Sequence, residues 1–174
     1  ASTVSGNRAG NNGGGLFVVG ANGANTLTNV TFSGNQAVNQ GGGIFNNGNC
    51  TLLNVTITLN NANHAVGIFN SFNCNLKNTL VAQNTAATAA DGPDLKGSFT
   101  SQGNNLIGIG DGSTGVNDGL LNDQVGTDAT PKNPRLGPLQ NNGGPTFTHA
   151  LKPGSLAIDA GTDTGAPTTD QRNK

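Results

Sequence analysis

Residues 41–60 read GGGIFNNGNCTLLNVTITLN, and the sequence on either side repeats them imperfectly. Aligning the copies sets Gly15, Leu16 and Phe17 beside Gly43, Ile44 and Phe45, and then beside Gly67, Ile68 and Phe69. Further rows follow: Leu27 with Leu52 and Leu76, Asn29 with Asn54 and Asn78, Phe32 with Ile57 and Val81, Asn35 with Asn60 and Asn84. The spacing is 28 residues from Gly15 to Gly43 and 24 from Gly43 to Gly67. Self-similarity at such a period marks a solenoid. Val4 and Asn7 fall into the same rows, so the chain enters midway through an earlier copy.

Within each copy apolar residues alternate over short stretches, as at Val30 and Phe32 or Val55 and Ile57, while Gly and Asn clusters between them break any helix. Period-two alternation means strand. A repeat this short has no room for a helix packed on a sheet, and one turn of a parallel β-helix accommodates it, equivalent strands stacking ~4.8 Å apart. The expected class is therefore all-β, a solenoid of about four coils. Its core should hold Val4, Leu27, Val30, Phe32, Leu52, Val55, Ile57, Leu76 and Val81. Asn tolerates left-handed backbone and can bond the Asn directly above it, so Asn29, Asn54 and Asn78, and likewise Asn35, Asn60 and Asn84, are expected as corner ladders.

Only 33% of the chain is apolar and 28 residues are Gly, which suits a narrow column of core better than a globular interior. A net charge of −1 with 10% charged residues excludes a nucleic-acid footprint or a polybasic membrane patch. No apolar run is long enough for a membrane span or the core of a signal peptide. Every carboxylate is an Asp, the first being Asp91. Abundant Asn, Gly and Thr with scarce Lys and no Glu resembles secreted bacterial surface proteins. Cys50 and Cys74 are 24 residues apart in equivalent positions, so they should stack in adjacent coils within disulfide range, as either a bond or a buried thiol pair.

The coils are expected over 1–109, with 20–25 as a loop that explains the longer first spacing. Coil three carries Thr79 where coil two has Val55, which should expose Leu80. Residues 110–174 read as a loop-rich cap followed by two strand-like stretches, 146–151 and 156–160, packing on the same solenoid.

The tail Asn142-Gly143-Gly144-Pro145-Thr146, Thr148-His149-Ala150-Leu151, Pro153-Gly154-Ser155, Ala157-Ile158-Asp159-Ala160-Gly161 and Thr169-Asp170-Gln171-Arg172 resembles the C-terminal signature of bacterial choice-of-anchor Q surface proteins. Gly92-Pro93-Asp94 and Gly103-Asn104-Asn105-Leu106-Ile107-Gly108 look like the same family, and the GGGIF and FSGN pieces are similar to repeats of polymorphic outer-membrane adhesins. The resemblance implies a right-handed parallel β-helix, exported and displayed on or shed from the cell, and implies no activity.

Parallel β-helices include polysaccharide-cleaving enzymes, whose chemistry needs paired carboxylates or a base with a Ca²⁺ cluster. The first three coils have no carboxylate. His149, Ser155 and Asp159 form a triad on paper only, without a nucleophile elbow, and the expectation is a non-enzymatic protein. If Ca²⁺ binds, its oxygens come from Asp91, Asp94, Asp111 and Asp118, although these lack EF-hand spacing and also read as solvated turn residues. Outward Thr31, Thr56 and Thr58 could present a flat array to ice or glycans, a row that fails at Leu80 and Ala82. Phe17, Phe45 and Phe69 form either a core row or an outward apolar stripe.

Ala1, Ser2, Thr3, Val4, Ser5, Gly6 and Asn7 are already repeat sequence. A solenoid end presents unpaired backbone and the cross-section of its core. The chain is therefore expected to be a structural protein of the bacterial exterior that assembles head to tail through these residues, or else an adhesin or glycan-binding fragment of a longer surface stalk.

Overall fold

The structure, a computed structural model, describes residues 1–86 and 92–174, apart from the side chains of 21 and 22. It is a parallel β-solenoid of about four turns. Among the described residues the one helical element is a single 3-10 turn, Leu120–Asn122, and no helix is long and apolar enough to cross a membrane.

The repeat rows are the register. Strand Leu16–Ser33 lies parallel to Ile44–Thr58, with Leu16 opposite Ile44, Leu27 opposite Leu52 and Phe32 opposite Ile57. The third turn breaks into Ile68–Asn70, Asn73–Lys77 and Leu80–Ala82 on the same rows. Leu95–Ser98, Thr100–Ser101 and Leu106–Ile107 form the fourth. Three faces result, and Ser2–Ser5 starts the third of them by pairing with Val30–Ser33. A short fourth sheet of Arg8–Ala9, Gln36–Ala37, Asn61–Ala62 and Thr85–Ala86 closes each turn.

Alternation sends Ile44, Leu52, Val55, Ile57, Ile68, Leu76, Val81, Leu95 and Ile107 into one continuous buried column. Val4 and Leu27 pack against it but stay partly exposed, because they lie at the end of the stack. The column is so thin that Gly15, Gly43 and Gly67 cannot carry a side chain. A Cβ at Gly43 would stand 2.6 Å from the Gly67 carbonyl oxygen and 2.8 Å from the Ile57 side chain, and Gly15 and Gly67 meet their equivalents in the same way.

Several expectations need correction. Residues 20–25 are not a loop: the strand continues through them as a bulge whose register shifts between Gly20 and Ala24, both glycines there, Gly20 and Gly23, taking positive φ. The solenoid does not stop at residue 109, since Ser113–Thr114 and Gln124–Val125 add two further rungs. Residues 156–160 form consecutive turns rather than a strand.

The C-terminal region lies along the third face instead of over the end. Leu136–Gln140 and Thr148–Leu151 pair antiparallel, the first pass leaving from Leu80 and Leu106, where Leu136 and Ala157 pack, and reaching Phe147, whose carbonyl accepts from Thr3. The second pass returns to the fourth coil, and the third runs from Ala160 at Asn104 back to Gln171 at Ser2 and Thr3. Leu80, expected to be exposed, is therefore buried. The Thr row is covered as well: Thr31 bonds Gln171, and Thr58 is fully buried, so no flat Thr array faces solvent.

Gly43→Ala should lower the unfolding free energy by about 2 kcal/mol through overpacking against fixed backbone. Gly10→Ala, where a Cβ meets nothing within 4 Å, should leave the urea midpoint unchanged.

Candidate functional site

Two asparagine columns run up the solenoid with opposite polarity. In the outer one Asn29, Asn54, Asn78 and Asn104 all sit at positive φ, which turns the chain from the second face into the third. Asn54 donates to the Oδ1 of Asn29 at 3.1 Å and Asn78 to that of Asn54 at 3.0 Å. Each amide thus reaches back one coil. Asn104 belongs to this row and escaped the sequence alignment, because the fourth copy is too degenerate to align.

The inner column reaches forward and is fully buried at Asn35 and Asn60. Asn35 Oδ1 accepts the backbone N–H and the amide of Asn7, Asn60 Oδ1 those of Asn35, and Asn84 Oδ1 those of Asn60. The remaining amide hydrogen goes to a carbonyl one coil back: Val4 for Asn35, Phe32 for Asn60, Ile57 for Asn84. Every donor and acceptor on the buried amide is used, so desolvation leaves nothing unpaired.

Asp94 ends this column. Its Oδ1 accepts the backbone N–H and amide of Asn84, and its Oδ2 accepts the N–H of Ile109 at 2.8 Å. A carboxylate has no N–H of its own to satisfy, which suits a last position. The same device recurs where Asn105 donates its N–H and amide to Asp123 Oδ1. Burial pushes the Asp94 carboxyl up to about 6, against the pull of its N–H donors.

Of the four Asp residues read as Ca²⁺ ligands, the three that are described bond to separate partners. Asp94 is committed to the ladder. Asp111 accepts from the N–H of Asp128, and Asp118 from the N–H of Val125 and from Lys132, which hold its pKa below the ordinary range. Asp91 lies outside the described residues. Among the described residues no three His, Cys, Asp or Glu side chains cluster as a metal site would require. His149 and Ser155 bond to separate partners: His149 meets Ser33 and the Gly137 carbonyl, and Ser155 donates to the Pro134 carbonyl.

Cys50 and Cys74 stand opposite each other in register, both buried and both free thiols. The hydrogen bond between them and their burial push the Cys74 thiol well above its usual pKa. The Phe row faces outward, with ring centroids 4.8 and 5.0 Å apart and nearly parallel planes, Lys96 taking the next position beside Phe69.

A large opening lies over the third face. The second and third C-terminal passes diverge above Asn54 and Thr56 and enclose a cavity of ≈ 1000 Å³, lined by His149 and Leu151 on one side and Asp159 and Asp163 on the other. Sequence reasoning missed it, since nothing in the repeat pattern says where a non-repeating tail will lie. No protein-family model matches the chain, and no curated protein and no solved structure matches it.

Two outcomes follow from these geometries. Between the ordinary 3.8 and about 6 the folded protein keeps the Asp94 proton that the unfolded chain releases. That contribution to stability is complete below the lower value and is lost as pH rises through the upper one, about 3 kcal/mol in all. Urea unfolding across the window should show the fall, and Asp94→Asn should flatten it. A thiol reagent should label neither cysteine in the native protein at neutral pH and both in urea; fast native labelling would contradict the burial.

Proposed function

We propose that the chain is a structural, non-enzymatic solenoid of the bacterial cell exterior, a stiff spacer built by stacking rather than a scaffold for chemistry. What carries the reading is the fate of the buried polar side chains. Asn35, Asn60 and Asn84 spend their whole hydrogen-bonding capacity on neighbouring coils, and Asp94, His149 and Ser155 are each tied to separate partners. The composition and the surface-protein resemblance of the tail support the location.

A second reading is head-to-tail assembly, in which the strand Ser2–Ser5 at one end of the stack takes up a parallel strand from a neighbour. Near the opposite end Leu120 and Leu121 are exposed. Contact between unlike ends does not close on itself and yields a filament.

Light scattering and negative-stain microscopy on the whole chain, beside a version lacking residues 1–7, test assembly. Filaments that vanish on deletion are expected; monomers in both samples would reject assembly and leave the spacer. Measurable cleavage of any polysaccharide by the purified chain would overturn the non-enzymatic reading.

A further inference from the structure

The outer Asn column docks the third C-terminal pass at every coil but one. Asn104 donates to the Ala160 carbonyl, Asn78 to that of Thr162 and Asn29 to that of Thr169, each at 2.8 Å. At Asn54 the pass swings outward through residues 163–168, its far side held by Lys77, which donates to the Thr164 carbonyl. Asn54 gives one amide hydrogen to Asn29. Its second faces the cavity and finds no acceptor among the described residues. Thr56, two residues on and also lining the cavity, has a hydroxyl with no hydrogen-bond partner among the described residues. The wall thus closes where the column is satisfied and opens where a donor and a hydroxyl are left unpaired.

We propose that this cavity binds a neutral oligosaccharide, a role beyond the spacer function. Its volume of ≈ 1000 Å³ reaches the upper end of the range for ligand sites. The floor offers an amide donor at Asn54 and a hydroxyl at Thr56, and the lip offers acceptors at Asp159 and Asp163, which suits a ligand dense in hydroxyls that both give and take. Leu151 and Pro167 supply apolar surface for the C–H faces of sugar rings. Three lining carboxylates, one of them Asp170 already paired with Arg172, stand against the two cations Arg172 and Lys174, so the site has no attraction for a polyanion. A peptide adding as a strand beside Thr148–Leu151 is the competing outcome that the test separates.

Saturation-transfer NMR on the whole chain with maltotriose, cellotriose and triacetylchitotriose as probes tests the proposal, with trigalacturonate and a neutral Thr/Val hexapeptide as comparators. At least one neutral trisaccharide should receive saturation. Thr56→Val should weaken its binding about fivefold or more, while Thr26→Val, exposed on a different face, should not change it. Should Thr56→Val unfold by circular dichroism, Asp163→Asn on the exposed lip carries the same expectation. No transfer to any trisaccharide, transfer that neither substitution weakens, or binding of the hexapeptide alone would overturn it.

Discussion

A side-chain amide has two hydrogens to give and an oxygen able to accept twice, and the inner asparagine column uses all four at each buried step. The stack depends on this match. Without it each turn would bury a polar corner with nothing to bond, a cost of about 1–3 kcal/mol per group that a column one or two side chains wide could not offset. With it, the backbone of one coil is oriented by a side chain of the next, so register follows from chemistry as well as from apolar packing. The outer column then attaches the C-terminal passes with the hydrogens it has left over.

The remaining interactions repeat at the same vertical spacing. Leu52 over Leu76 inside, Phe17 over Phe45 over Phe69 outside, and the thiols of Cys50 and Cys74 all exploit the identity of vertical neighbours. Glycine at positions 15, 43 and 67 lets the turns close this tightly. Each interface between coils is small, and the stability of such an array is the sum of many similar increments.

What could be read from residues alone was what repeats. Rows of Leu, Phe and Asn at a common period mean stacked strands, and the buried residues fell on those rows. Readings failed where the repeat ends. Alternation correctly sent Leu80 outward, but its burial depends on Leu136 and Ala157, more than 50 residues on and outside any period. Asp94 drew attention as an acid in a Gly-Pro turn, the setting of a cation ligand; its role as the end of an amide column escaped notice because its backbone belongs to the glycine row, opposite Gly67, and only its side chain reaches Asn84. The cavity could not be foreseen at all, since it is made by a tail that docks at three asparagines and departs from the fourth.

A carboxylate as the acceptor, Asp94 for Asn84 and Asp123 for Asn105, acts on the hydrogen-bond ladder as chain termination acts on a polymer. An asparagine is a propagating unit: it receives from one side and passes a hydrogen on to the other. An aspartate receives and passes nothing on. A single functional group thus closes the inner column at Asp94, while the strands of the solenoid continue beyond it.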